Sequence, residues 1–133
     1  MNQLGYDDDG IRSAGLLLIA DDTGRALLLL RSDEGGSPGV WSIPGGRREA
    51  EETDIDAALR ETQEETGYEA NPESLNLRVV FPPYATYVVA VPEEFEVELN
   101  SEHVDAGWFA LDDMPVPTHE GVYRVLEEWD AHA

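Results

Sequence analysis

Between Thr53 and Gly67 the chain carries a helix start, a helix stop and one apolar stripe, and this fixes a helix in its first half. Thr53 can accept a hydrogen bond from a main-chain N–H of the first turn. Asp56, three residues on, can return the bond, and Gly67 can adopt the left-handed conformation that ends a helix. At about 100° per residue, Ile55, Ala58, Leu59, Thr62 and Thr66 share one stripe, the face expected against a core. Glu61, Glu64 and Glu65 fall together on an adjoining arc. Like charges at this spacing repel by about 0.2–0.5 kcal/mol per exposed pair. They also sit in the last turns, where the helix dipole disfavours anions. A bound cation would offset both costs; a plain solvated face is the alternative.

The flanking segments read mostly as strands. Ser13–Ala20 (SAGLLLIA) and Arg25–Ser32 (RALLLLRS) lie on either side of the turn DDTG and predict a hairpin. The stretch SDEGGSPG reads as a flexible loop, and VWSIPGG as a short strand ending in a turn. Further strands are expected at Leu75–Phe81, Thr86–Val91, Phe95–Leu99 and Ala106–Leu111. In FEVEL the alternation points Glu96 and Glu98 away from the core. A last helix is expected from Glu120 to Asp130, with Val122, Val125, Leu126 and Trp129 buried. Strands before and after an early helix, plus a closing helix, imply a mixed α/β domain with helices packed on sheet.

At 133 residues the chain is expected to form one domain, residues 1–133. The longest apolar runs are strand-sized, well short of the roughly 18 residues of a membrane span. The opening MNQLGYDDDG is polar and acidic and does not read as a secretory leader, so a cytoplasmic location is expected. Zero cysteines exclude disulfides and thiolate metal sites. There are 29 acidic residues against 8 basic ones, all arginine, and the formal charge is −21. Such a surface argues against long nucleic acid, which needs a basic footprint, and suits divalent cations. It also suits a salt-rich medium, where screening relieves self-repulsion. Monomer and homodimer both remain open.

Hard cations such as Mg2+ take oxygen ligands, often one or two carboxylates together with substrate phosphates. Glu61, Glu64 and Glu65 have the helical spacing for such a site. The preceding Pro44-Gly45-Gly46 lets main chain approach a ligand closely. Arg60 is placed to hold one glutamate in position. Metal, phosphate and water together point to phosphoryl transfer to water. Arg31, Arg47 and Arg48 are candidate phosphate contacts, with exposed solubilising charge as the alternative. Tyr84 and Tyr87 can stack on a base or pack on a strand. Trp41 and Trp108 are expected in the core. His103 and His119 read as surface loop residues.

Gly46, five residues, Glu52, seven residues, then Arg60-Glu61-Thr62-Gln63-Glu64-Glu65-Thr66-Gly67-Tyr68 resembles the signature of the Nudix (MutT-like) hydrolases, G-x5-E-x7-R-E-U-x-E-E-x-G-U. All seven fixed positions match. Thr62 and Tyr68 depart from the bulky aliphatic residues usual at the U positions, but both can pack through apolar atoms. WSIPGG before the signature and SEHVDAGWFALDDMP after it extend the resemblance over most of the chain. The resemblance implies a mixed β-sheet sandwiched between α-helices. It also implies hydrolysis, dependent on Mg2+ or Mn2+, of a nucleoside diphosphate linked to another group. The implied metal set is Gly46, through its carbonyl, with Glu61, Glu64 and Glu65. Arg60 and Glu52 would pair and hold the loop–helix geometry. The implied catalytic set is Glu61, Glu64, Arg60 and, in the later loop, Glu102, with Glu61 or Glu102 as base. In the family, a proline downstream of the signature accompanies ADP-ribose hydrolysis, and a tyrosine slightly later accompanies diadenosine polyphosphates. Pro82, Pro83 and Tyr84 occupy that region together, so both readings stay open beside a nucleoside triphosphate pyrophosphatase. A pocket that senses a nucleotide without cleaving it is the competing class, and an acidic structural protein a third.

Overall fold

The structure, a computed structural model, describes residues 10–32 and 38–132. Its elements in chain order are β1 (Ser13–Ala20), β2 (Ala26–Arg31), β3 (Trp41–Ser42), β4 (Gly45–Arg47), α1 (Asp54–Thr66), β5 (Leu75–Phe81), β6 (Tyr84–Val91), β7 (His103–Phe109) and α2 (Glu120–His132). All seven strands join one sheet, ordered β3-β2-β1-β6-β5, with β4 added to β1 and β7 added to β2. β1 runs parallel to β6, and the remaining pairings are antiparallel.

The apolar runs of β1 and β2 do not alternate because both faces of these strands are covered. Leu16 and Leu18 of β1 pack with Leu27 and Leu29 of β2 beneath Ala57 and Ala58 of α1. Leu17 and Leu28 point the other way, onto Val122, Val125 and Leu126 of α2. Leu16, Leu17, Leu18, Leu27, Leu28 and Leu29 are all 0% exposed, and each contributes on the order of 1.5–3 kcal/mol by burial. The expected sandwich of mixed sheet between helices is the architecture found.

Three local readings are corrected. The β1–β2 hairpin exists only at its tip, where Ile19 pairs with Ala26. Beyond that pair β1 turns its first half to β4, at Ser13↔Arg47 through Gly15↔Gly45, while β2 pairs along its length with β7. Phe95–Leu99 forms no strand and joins no ladder. It lies over the end of α1 instead, with the Glu98 N–H donating to Thr66 O at 2.9 Å, Phe95 stacked on Tyr68 and Trp108 edge-on to Phe95. The alternation still holds there, since Glu96 and Glu98 are exposed while Phe95 and Val97 pack on the core. The last strand starts at His103, three residues before its expected start at Ala106. Of the predicted loop SDEGGSPG, residues 33–37 lie outside the described residues.

α1 is built as its sequence requires. Thr53 and Asp56 form a reciprocal capping box, and Gly67, at φ 79°, closes the helix by donating to Gln63 O. Asp54 then ties the helix start to the sheet: it accepts from Arg78 of β5 at 2.7 Å and from the Tyr87 hydroxyl of β6 at 2.8 Å.

Candidate active site

The parting of β1 from β2 makes the site. The strands touch at Ile19↔Ala26 and diverge toward Ser13 and Arg31. The starts of β6 and β7 and the end of β5 lie at this same end because β6 is parallel to β1 while β5 and β7 run antiparallel to their neighbours. A cavity of about 690 Å³ opens there. Its wall includes Gly45, Gly46, Glu61, Glu65, Glu102 and His103 on one side. Phe81, Tyr84, His119 and Arg124 line it elsewhere. Pockets that take small ligands commonly have volumes of about 300–1,000 Å³.

Glu65 lies deep in this wall and is 2% exposed. Its Oε1 accepts the Gly45 N–H at 2.8 Å, so β4 positions the carboxyl against the sheet. Burial pushes its pKa up from 4.5 to about 9; the Gly45 bond opposes the rise, and the nearby Glu102 and Glu61 add to it. Glu61 is also raised, chiefly by burial, which outweighs its bond from Arg60. A Cβ on Gly46 would stand 2.5 Å from the carboxyl carbon of Glu61, so any larger residue here would displace that carboxyl from its place beside β4.

Arg60 fastens the loop to the helix. Its Nε and one terminal nitrogen donate to the two oxygens of Glu52, at 2.8 and 3.1 Å. The other terminal nitrogen donates to Glu61 at 2.9 Å, and a further bond reaches Arg47 O at 3.0 Å. The bidentate bond from Arg60 holds Glu52 below the usual carboxylate range. Glu61 is thereby held at a fixed place on the cavity wall.

The sequence-derived candidates divide. Gly46, Glu61, Glu65 and Glu102 line the cavity, as do Arg31, Arg47 and Tyr84. Glu64 is not among the lining residues; its side chain is 52% exposed and lies 3.3 Å from Arg60. Helical rotation turns it outward while Glu61 and Glu65, four residues apart, share the inner face. Arg48 is corrected as a phosphate contact. It is 5% exposed, is not among the residues lining the cavity, and its guanidinium donates to the main-chain oxygens of Glu52 and Ile11. In that place it braces the loop. His103 is corrected as a surface residue: it is 8% exposed, lines the cavity, and its buried Nδ1 has no hydrogen-bond partner. Burial, reinforced by Arg31, pushes its pKa below the ordinary value. Placing the strand start at Ala106 hid this residue; in register with the end of β2, His103 is the partner of Arg31. Phe81 and Arg124 were also missed as lining residues. The Arg124 guanidinium lies 4.1 Å over the Phe81 ring, a pairing of β5 with α2 that no local pattern announces.

A splayed mixed sheet between two helices, with paired carboxylates and close glycines at its open end, defines a class of hydrolases that carry the G-x5-E-x7 signature. The family model for the NUDIX domain matches residues 10–129, and the chain belongs to that family. Among its relatives is the asymmetrical bis(5'-nucleosyl)-tetraphosphatase of Rattus norvegicus, 31% identical over 121 residues, with 77% of this chain and 81% of that protein covered. The 8-oxo-dGDP phosphatase of Homo sapiens is 30% identical over 97 residues, covering 68% of this chain. The chain spans 30% of that human protein and 31% of a Caenorhabditis elegans relative. A MutT NUDIX hydrolase from Burkholderia pseudomallei has a similar solved structure, with TM-score 0.69 and 28% identity, covering 87% of this chain and 95% of that one.

Nudix hydrolases generally use divalent metal, and the residues present suit one. Two carboxyls and an imidazole, Glu65, Glu102 and His103, bring ligand atoms within 4.8 Å of one another, Glu61 lines the same cavity, and burial makes the Glu65 anion costly until a cation joins it.

Proposed function

We propose that this chain hydrolyses a phosphoanhydride bond in a nucleoside triphosphate or a related nucleotide, with Mg2+ or Mn2+ as cofactor. The observation that carries the reading is the convergence of Glu61 and Glu65 with Gly46 at the wall of a nucleotide-sized cavity. Glu61, Glu65 and the Gly46 carbonyl would hold the ion, with Glu102 beside them in the loop before β7. Bound there, the ion would polarise a phosphoryl oxygen and favour hydroxide over water at neutral pH. Arg60 fixes Glu61 against Glu52, and Arg48 fixes the loop from behind. Arg31 and Arg47 line the cavity and would neutralise polyphosphate oxygens. Glu102, the more exposed carboxylate, would accept a proton from the attacking water on one oxygen, leaving the other to face a cation. Phe81, Tyr84 and Arg124 offer flat surfaces to a base.

A second reading is supported by Tyr84, which is 54% exposed at the cavity wall and can take a second base. That would suit a dinucleoside polyphosphate, the substrate named for the rat relative.

The test is a substrate panel with Mg2+ or Mn2+: nucleoside triphosphates, 8-oxo-dGTP, dinucleoside polyphosphates and ADP-ribose, with products identified by chromatography. Turnover of at least one anhydride is expected, and its loss in Glu61→Gln. Tight nucleotide binding without product from any of them would make the pocket a sensor and overturn the reading.

A further inference from the structure

We propose that Glu65, Glu102 and His103 form a mixed carboxylate–imidazole cation position that takes Mn2+ in preference to Mg2+. The proposal rests on the metal-dependent reading above and concerns which residues hold the ion. One ligand atom from each of the three lies within 4.8 Å of the others. Ligands about 2.1 Å from a shared ion stand up to roughly 4.2 Å apart, so small side-chain rotations close the set around one ion. His103 is 8% exposed, and its Nδ1 is buried without a hydrogen-bond partner. A buried polar atom left in that state is costly, and a cation bound at Nδ1 would remove that cost. The irregularity in the pairing of β2 with β7 falls between Leu30 and Arg31, next to the Arg31↔His103 pair. Such a break re-aims the side chains beside it, which accounts for an imidazole at the cavity wall.

The chemistry then selects the ion. Mg2+ prefers oxygen ligands and gives up its water reluctantly, whereas imidazole nitrogen suits first-row transition ions. Glu61 with the Gly46 carbonyl offers oxygen only, so a site for Mg2+ remains beside this one. Helix α1 gives one carboxylate to each position, and the entry to β7 adds Glu102 and His103 to the second.

The full chain, freed of metal with EDTA and loaded with Mn2+ alone, is examined by pulsed electron paramagnetic resonance. Nitrogen-14 modulation of the Mn2+ signal is expected. It should change to the nitrogen-15 pattern when histidine is isotopically labelled, a readout that needs no variant. His103→Gln should remove the modulation while His119→Gln keeps it. The same His103 variant should lose about tenfold in Mn2+-over-Mg2+ preference by competitive titration. Mn2+ bound without nitrogen modulation, or modulation that survives His103→Gln, would overturn the proposal and leave metal-dependent hydrolysis standing. A Mn2+ signal identical to that of the free ion would overturn both.

Discussion

Glu65→Gln should make the metal-free protein more stable at neutral pH while abolishing turnover. Glu65 is 2% exposed, and its pKa rises from 4.5 to about 9 because burial disfavours the anion. A carboxyl whose folded value lies above its unfolded value contributes stability below the unfolded value, and that contribution is lost as pH rises toward the folded one. From pH 4.5 to pH 7 the unfolded chain has released a proton that the folded protein must keep. At 1.36 kcal/mol per pH unit this amounts to about 3 kcal/mol, and relaxation of the wall with water entry reduces it to about 1–3 kcal/mol. Glutamine stays neutral, and its amide oxygen can still accept the Gly45 N–H. In EDTA at pH 7 the variant should therefore melt about 3–10 °C higher than the parent. The gap should shrink toward pH 5 and stop growing near pH 9. Mn2+ should reverse the ranking, because the parent gains binding energy that the variant has lost. Urea denaturation of both proteins at steps from pH 5 to pH 9, with and without Mn2+, measures all of this. A variant less stable than the parent at pH 7 in EDTA, or a gap of constant size across the range, would refute the reasoning.

Gly46→Ala should lower kcat about 10–100-fold with the fold retained, since the new Cβ would press on the Glu61 carboxyl from 2.5 Å; circular dichroism and steady-state rates check it. Asp54→Asn should cost about 1–3 kcal/mol at pH 7 by weakening the bonds from Arg78 and Tyr87, read by urea denaturation. Although burial opposes it, those bonds hold the Asp54 pKa below its ordinary value of 3.8, so this stability is present above pH 3.8 and fades as pH falls through the folded value. The variant should lack that acid-side loss. With a formal charge of −21, raising KCl from 0.05 to 2 M should raise the melting temperature, and an unchanged value would dissociate the composition from salt.

Legibility in the sequence followed the range of the interactions. α1 was readable to within a residue because its cap, stop and stripe are all local: Thr53, Asp56 and Gly67 meet one another inside one segment. Leu75–Phe81 was equally readable, since alternation and flanking turns are local too. What escaped depends on partners far along the chain. Nothing in RALLLLRS says that β2 will leave β1 after one pair and take β7 instead. The burial of Arg48 depends on Ile11, thirty-seven residues away, and that of His103 on its register with Arg31. Phe95–Leu99 has the pattern of a strand and meets a helix end where a strand would have had an edge to join.

The acidic patch broke local rules for helices, and the fold compounds the violation. α1 presents Glu61 and Glu65 to the cavity and leaves Glu64 to solvent, so the inward pair bears the burial that the outward one escapes. β4 then supplies only one N–H to Glu65, too little to keep it ionised at neutral pH. Arg60 bonds one member of this pair, Glu61, and its other bonds go to Glu52, Glu64 and Arg47 O, none to Glu65. An arginine aimed at Glu65 would have relieved the burial but closed the cavity wall to an external ion. The arrangement found holds one carboxylate firmly and leaves its neighbour short of positive charge. That asymmetry is what a site needs if its second charge is to come and go with the substrate.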